Sequence, residues 1–334
     1  MLQDAHKRPM RDLRISVTDR CNFRCPYCMP AAIFGEAYKF LPRAELLTFE
    51  EITRVARLAA GLGVQKLRLT GGEPLMRTEI ETLVVQLAHI DGIEDIAMTT
   101  NGVFLPQKAQ ALKDAGLQRL TVSLDSLDEE VFQGMNGHKA SVTKVLEGIA
   151  AAEKVGFGPI KINAVVRRGL NDHTLVDLAK WAKTNGHIIR FIEYMDVGTL
   201  NGWRMEDVVP AKEIVERISA ELPLEPADQN YFGEVANRWR YVDGGGEIGV
   251  IASVTQPFCG ACTRLRLSPE GMLFTCLFGT SGIDMREPLR AGVDDEGLRD
   301  VLRGTWRKRK DRYSEIRTSL TEPRTKVQMY HIGG

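Results

Sequence analysis

Residues 13–28 read Leu-Arg-Ile-Ser-Val-Thr-Asp-Arg-Cys-Asn-Phe-Arg-Cys-Pro-Tyr-Cys. The first six alternate with period two, Leu13, Ile15 and Val17 against Arg14, Ser16 and Thr18, so one strand face is apolar and the other polar. The strand runs directly into three cysteines, Cys21, Cys25 and Cys28. A parallel strand covered by helices on both faces reads as almost continuously apolar, and this one does not.

The same alternation recurs downstream. Lys66, Arg68 and Thr70 oppose Leu67 and Leu69; Arg119, Thr121, Ser123 and Asp125 oppose Leu120, Val122 and Leu124; Lys161 and Asn163 oppose Ile160 and Ile162; Arg190 sits between Ile189 and Phe191. Strands are expected at 13–18, 66–71, 95–101, 119–125, 160–166 and 188–195, with helices between them at 48–62, 78–89, 106–115, 142–155 and 173–184. Thr48-Phe49-Glu50-Glu51 is a capping box, Asn171-Asp172 precedes the fifth helix, and Gly61, Gly116, Gly156 and Gly186 stand where helices end. Strand–helix alternation implies an α/β fold with a parallel sheet and right-handed crossovers. The polar strand faces favour a wide, incomplete barrel over a doubly wound sheet.

That polar face carries Arg14, Lys66, Arg68, Arg119, Lys161 and Arg190, with Asp125 the one acid among the strand positions named. Unpaired buried cations are costly. Loop carboxylates such as Glu73 or Glu193 could pair with them; a polyanion such as a triphosphate would neutralise them together.

Residues 196–202 read as a linker, after which the alternation stops. A helix is expected at 211–222, antiparallel strands at 238–242 and 248–254, and a hairpin of 263–267 and 272–278 about the turn Ser268-Pro269-Glu270-Gly271.

The 334 residues are 43% hydrophobic and 26% charged, with no formal net charge. A sizeable core is expected, and overall charge gives no support to a nucleic-acid or membrane-surface role. The run Arg303–Arg312 suggests RNA, but such runs are more often a solvated helix face. The N-terminus lacks a signal-peptide pattern and no stretch is long and apolar enough to span a membrane, so a cytoplasmic protein is expected and disulfides are not.

All six cysteines fall in two trios, Cys21, Cys25, Cys28 and Cys259, Cys262, Cys276. Structural zinc usually takes four protein ligands. Three thiolates can instead hold three irons of a [4Fe–4S] cluster and leave the fourth open. The zinc alternatives need a distant histidine, His6 for the first trio or His331 for the second. In an ideal hairpin register Cys276 faces Thr263, one residue from Cys262, so bringing the second trio onto one face needs a bulge or Cys262 outside the ladder.

The C-x3-C-x2-C motif with Gly71-Gly72-Glu73-Pro74 one βα unit later resembles the radical S-adenosylmethionine superfamily. The resemblance implies a cluster whose open iron binds S-adenosylmethionine, and a 5′-deoxyadenosyl radical that abstracts a substrate hydrogen. It places Gly72 at the methionyl end, Tyr27 near the adenine, and Ser123 and Met195 in contact with the cofactor; plain core packing is the alternative for Met195.

The second motif, Cys259-x2-Cys262-x-Arg264-x-Arg266 with Cys276 and a terminal Gly333-Gly334, narrows the resemblance, over essentially the whole chain, to the GTP 3′,8-cyclase family of molybdenum cofactor biosynthesis. That family implies a partial (β/α)6 TIM-type barrel over residues 1–198. A smaller C-terminal α+β domain, 199–334, would carry a second [4Fe–4S] cluster and close the barrel mouth. GTP would lie between the clusters, in contact with Arg14, Arg68, Thr99, Lys161, Arg264, Leu265 and Arg266, and with Lys66 and Arg190 at the phosphates. Arg14, Lys161, Arg264 and Arg266 would serve the chemistry: C3′ loses hydrogen, joins guanine C8, and reduction gives (8S)-3′,8-cyclo-7,8-dihydroguanosine 5′-triphosphate. Implied partners are a flavodoxin or ferredoxin type electron donor and a downstream cyclic pyranopterin monophosphate synthase, the enzyme being a monomer or homodimer. The Gly-Gly tail would reach into the site; read as a sequence alone it is a frayed terminus. The competing readings are a peptide-modifying radical enzyme with an auxiliary cluster and a non-enzymatic zinc or iron–sulfur nucleic-acid-binding protein.

Overall fold

The computed structural model describes residues 2–317 and 325–333; Gly334 of the Gly-Gly pair lies outside them. The six alternating segments form β1 (Asp12–Ser16), β2 (Lys66–Thr70), β3 (Asp95–Thr100), β4 (Arg119–Ser123), β5 (Lys161–Val166) and β6 (Ile188–Glu193). They run parallel in chain order. The crossover helices are α1 (Phe49–Ala60), α2 (Ile80–Ala88), α3 (Leu105–Asp114), α4 (Glu129–Asn136), α5 (Val142–Lys154) and α6 (Leu175–Thr184). Their apolar stripes join Leu13, Ile15, Leu67, Leu69, Leu120, Val122 and Ile162 in one core, so the helices cover the apolar strand faces and leave the polar ones to the lumen.

The capping box at Thr48 and Glu51 closes α1 reciprocally. Gly116, Gly156 and Gly186 take left-handed conformations after their helices, whereas Gly61 stays right-handed. Asn171 does not cap α6; its amide donates to the carbonyls of Asp125 and Val165. Helix α4 went unread in the sequence because it buries only Phe132, Met135 and Asn136.

The C-terminal segment does not stand apart. After α7 (Ala211–Ser219), strands β7 (Leu224–Ala227), β8 (Asn237–Tyr241) and β9 (Glu247–Ile251) extend one edge, β9 lying parallel to β6. Strands β10 (Arg264–Leu267), β11 (Met272–Phe274) and β12 (Ile283–Asp284) extend the other, β10 lying parallel to β1. The result is one open twelve-stranded sheet, β12-β11-β10-β1-β2-β3-β4-β5-β6-β9-β8-β7, a partial barrel whose outer barrel strands β1 and β6 are paired by the C-terminal strands, with β12 and β7 as the sheet's edges. Helices α8 (Arg286–Arg290), α9 (Asp295–Arg307), α10 (Tyr313–Ile316) and α11 (Met329–Ile332) complete the segment. Helix α9 buries Leu298, Leu302 and Trp306 at helical spacing, so the basic run beginning at Arg303 is not simply a solvated face. Asp196, expected in a linker, instead pairs with Arg317 at 2.9 Å and with Lys326 at 2.5 Å and anchors the returning tail. No helix among the described residues is long and apolar enough to cross a membrane.

Candidate active site

In the hairpin, the amide of Gly271 donates to the Ser268 carbonyl and Ser268 pairs with Met272. Gly271 has φ 95°, which makes a three-residue loop with a glycine bulge. Arg266 therefore faces Phe274, one residue away from the ideal register. Continuing that count past the ladder puts Cys276 level with Arg264, on the face Cys262 shares. The bulge brings the trio together: Cys259, Cys262 and Cys276 all border one cavity inside the barrel.

The cavity holds about 1370 Å³, its open mouth included. Arg14, Lys66, Arg68, Thr99, Arg190, Met195, Arg264 and Arg266 line it. Strand register sets Arg266, Arg14 and Arg68 side by side across β10, β1 and β2. Arg68 donates to the hydroxyls of Thr99 at 3.1 Å and Thr121 at 3.2 Å; Arg190 donates to the same Thr121 oxygen at 3.2 Å. Lys66 lies 3.2 Å from the ring centre of Tyr231. Lys161 is half-buried at the margin, beside Arg190 and Arg119. Leu265 points away, fully buried in the helix-side core, so any contact it makes in the lumen is through its backbone.

The loop carboxylates Glu73 and Glu193 and the strand acid Asp125 are occupied elsewhere, whereas Asp12 borders the lumen and offsets part of the charge of Arg14, Arg68 and Arg264. Glu73 accepts from the Leu75 amide, the Thr100 hydroxyl and the Asn101 amide. Glu193 accepts from the amides of Ala211, Val254 and Thr255. Asp125 binds the Tyr27 hydroxyl and the Val165 amide. Among the described residues Arg119 alone of the cations on β1–β6 forms a carboxylate salt bridge, with Asp95 at the start of β3. Burial, then the neighbouring arginines, push Arg14 well below the guanidinium range, Arg190 to about 9 and Arg266, relieved in part by Cys262 and Cys276, to about 10. Burial followed by Arg190 brings Lys161 to about 8. Such a lumen is built to receive negative charge.

The first trio stands at the opposite end of the strands, in the loop after β1. The Glu73 and Gly72 amides donate to the carbonyls of Arg20 and Thr18, both at 2.8 Å. A Cβ on Gly72 would lie 2.2 Å from the Arg20 carbonyl oxygen, so the glycine is required by the loop that presents Cys21. Burial pushes the Cys21 thiol to about 12 and raises Cys25 and Cys28 well above the ordinary thiol value. Neutral thiols packed in this way need a metal to deprotonate them. Ser123, the last residue of β4, and Tyr27 are half-buried near this end, and Met195 borders the lumen.

At the second trio the balance reverses. Burial alone would raise Cys262, but Arg264 and Arg309 bring it down to about 6. Arg309 Nη2 lies 2.9 Å and Arg264 Nη2 3.2 Å from its Sγ. Arg8 donates to the Cys259 carbonyl at 2.8 Å. Neither Arg8 nor Arg309 was singled out in the sequence; the pairing of Arg309 with the buried Trp306 on α9 was the available signal. All six thiols are free, and among the described residues no three ligating side chains converge as those of a single ion would. Three cysteines at each place are the donor number of a cluster that keeps one iron open.

The tail enters the lumen between the two ends. The Tyr330 hydroxyl meets that of Tyr38 at 2.9 Å, the His331 ring meets Glu270 at 2.7 Å, and Arg266 donates to the carbonyls of Ile332 and Gly333.

Comparison with known proteins agrees with this architecture. Residues 15–182 match the family model of the radical SAM superfamily, and residues 187–315 match that described as Molybdenum Cofactor Synthesis C. The GTP 3′,8-cyclase of Acidothermus cellulolyticus is 56% identical over 320 residues, covering 95% of this chain and 88% of its own. That of Staphylococcus haemolyticus is 48% identical over 337 residues, covering 100% and 99%. The crystal structure of Streptococcus suis SuiB bound to S-adenosylmethionine matches with a TM-score of 0.61 over 89% of this chain and 68% of its own, at 16% identity, a likeness of fold alone. The chain belongs to the radical S-adenosylmethionine superfamily and, within it, to the family of the GTP 3′,8-cyclases.

Proposed function

We propose that this enzyme converts GTP to (8S)-3′,8-cyclo-7,8-dihydroguanosine 5′-triphosphate, an early step of molybdenum cofactor biosynthesis. The observation that carries the reading is the row Arg266–Arg14–Arg68, which forms no carboxylate salt bridge among the described residues, with Cys259, Cys262 and Cys276 bordering the same cavity and Cys21, Cys25 and Cys28 in the loop after β1 at the other end of the strands. Cys21, Cys25 and Cys28 would hold the cluster that binds S-adenosylmethionine, with Tyr27, Gly72, Ser123 and Met195 around the cofactor. Cys259, Cys262 and Cys276 would hold a second cluster against which the guanine rests. When bound, the first cluster and S-adenosylmethionine supply a carbon-centred radical.

The protein's part is binding, orientation and enclosure. Lys66, Arg68, Lys161 and Arg190 clamp the phosphates, with Thr99 in the same layer. Arg14, Arg264 and Arg266, with the Leu265 backbone, fix ribose and base so that C3′ meets C8 without a rotational search. The surrounding walls keep water and stray hydrogen donors from the reacting carbons. Charge complementarity favours the triphosphate over a peptide substrate. A flavodoxin or ferredoxin type donor would supply electrons, and a cyclic pyranopterin monophosphate synthase would take the product, in the cytoplasm.

Anaerobic reconstitution tests the reading. Iron near eight per chain, 5′-deoxyadenosine released only with GTP, and a product of the same mass as GTP, the hydrogen lost at C3′ being offset by the electron and proton taken up at the purine, would support it. Deoxyadenosine formed with a peptide and not with GTP, or zinc without cofactor cleavage, would overturn it.

A further inference from the structure

The second trio sits against a buried ionic network that the cyclisation reading does not use. The Asp4 side chain is wholly buried, and those of Arg8 and Arg309 are each 1% exposed. Arg8 Nε donates to Asp4 Oδ2 at 2.6 Å, and Arg309 Nη1 reaches the same oxygen at 3.4 Å. Asp4 Oδ1 accepts from the amides of His6 and Arg8. One carboxylate thus serves two guanidiniums. Asp311 adds a longer contact to Arg309 at 3.7 Å, but its side chain is 35% exposed. Among the described residues Arg8 Nη2 and Arg309 Nε, both buried, have no hydrogen-bond acceptor.

Excess buried positive charge with unmet donors is expensive unless an anion lies beside it. The anion available is the thiolate set. Arg309 grips Cys262 twice, through its carbonyl at 2.7 Å and its sulfur at 2.9 Å, while Arg8 holds the carbonyls of Cys259 and Asp311, both at 2.8 Å. The Trp306 ring supports the Arg309 guanidinium from 4.6 Å, and its indole donates to the Arg8 carbonyl at 3.0 Å. The first trio differs: Arg24 is spent on the carbonyls of Cys21, Phe23 and Phe34, and the donors to its sulfurs are neutral, among them the Phe23 amide at 3.3 Å and the Asn101 side chain at Cys21 and the Tyr27 side chain at Cys25.

We propose that Arg309, with Arg8 and Asp4, is a positioning network that clamps the Cys262 thiolate and sets the second cluster at a more positive reduction potential than the first. The inference rests on the two-cluster reading above. Its cause is electrostatic: hydrogen bonds to a ligating sulfur and nearby positive charge favour the reduced state, which carries one more electron. The N-terminal arm thereby tunes a centre built by the other end of the chain.

Anaerobic redox titration of the reconstituted holoprotein, with each cluster followed by its paramagnetic signal, provides the test. In Arg309→Gln the second-cluster potential should move negative while the first stays put. Arg309→Lys, which keeps the charge, should move it less. Asp4→Asn removes the opposing anion without touching Cys262 and should move it positive. Equal shifts in both clusters, or full iron in Arg309→Gln with no shift, would overturn the proposal. Should Arg309→Gln shed the second cluster, Asp4→Asn decides: a positive shift supports the network, while no shift, a negative shift or the same iron loss rejects it. Failure of the underlying reading shows earlier, as wild-type protein holding about four irons and one paramagnetic centre.

Discussion

Arg14 on β1 is flanked in register by Arg266 on one side and Arg68 on the other, three guanidiniums abreast on one sheet face. Adjacent strands lie about 4.8 Å apart, and among the described residues Arg14 has no carboxylate salt bridge. Burial, followed by Arg266, Arg68 and Arg264, pushes its pKa well below the ordinary value. A guanidinium does not deprotonate in a protein, so the repulsion is borne by the fold until an anion binds.

Replacing Arg14 with Met should therefore stabilise the ligand-free protein and harm the complex. Removing one buried like charge is expected to be worth about 1–3 kcal/mol, and losing a charge-assisted phosphate or ribose contact about 1.5–3 kcal/mol of GTP affinity. Thermal melts with and without GTP would show the apo midpoint rising and the nucleotide-induced increment shrinking. A lower apo midpoint with an unchanged GTP increment would refute the repulsion account.

Gly72→Ala addresses the other end of the lumen. The added carbon meets the Arg20 carbonyl at 2.2 Å, and backbone on both sides cannot yield as a flexible side chain would. Overpacking of this kind costs about 1–3 kcal/mol. The loop presenting Cys21 must move, so reconstituted protein should lose the iron of the first trio and retain that of the second. Iron analysis and S-adenosylmethionine binding check this; a variant with full iron and normal cofactor affinity would show that the loop tolerates the shift.

The barrel was legible because alternation at Leu13–Thr18 and its repeats reports which strand face is wet. The lumen cations followed from the same pattern. Three features were not legible. The edge pairings β6–β9 and β1–β10 join residues far apart in sequence, and period-two runs carry no information about partners. The glycine bulge at Gly271 shifts register by one residue, and Ser-Pro-Glu-Gly suits both a four-residue turn and a three-residue loop. The Arg8–Asp4–Arg309 network depends on an N-terminal arm with no periodicity of its own; a basic run beside Trp306 looked like a solvated face until burial separated Arg309 from the exposed Lys308 and Lys310.

Glu73 gives a pH-dependent prediction. Burial raises its pKa to about 7, against the lowering effect of the Asn101 and Leu75 amides and the Thr100 hydroxyl. The folded state then binds the proton more tightly than the unfolded chain does. Stability from this group is fully present below the unfolded value near 4.5 and is lost as pH rises to about 7. The loss amounts to about 3 kcal/mol, order of magnitude only. Glu73→Gln cannot titrate. Urea midpoints of wild type and variant should converge or cross as pH increases from 5 to 8; parallel curves would place the proton elsewhere. At low pH the variant should be weaker, because its amide cannot accept from the Leu75 and Asn101 amides together, a loss of about 1–3 kcal/mol.

The tail is set by Gly333. Its φ is 68°, its carbonyl accepts from Arg266, and a Cβ there would stand 2.3 Å from Thr70 Cγ2. A valine can satisfy neither the backbone nor the space. Farther out, Tyr330 is held by the Tyr38 hydroxyl and the edge of Phe34 at 5.1 Å, and His331 by Glu270. Gly333→Val should thus release the last turn while the Tyr330 anchor holds. Amide exchange should accelerate at Ile332 and position 333 more than at Tyr330, and Arg266 should lose its carbonyl acceptors. If Arg266 needs the tail to aim at the nucleotide, kcat falls while iron content and S-adenosylmethionine binding are unchanged. If the tail only blocks the lumen, GTP affinity rises instead, so the sign of the change in GTP binding separates a tail that orients Arg266 from one that occupies the site.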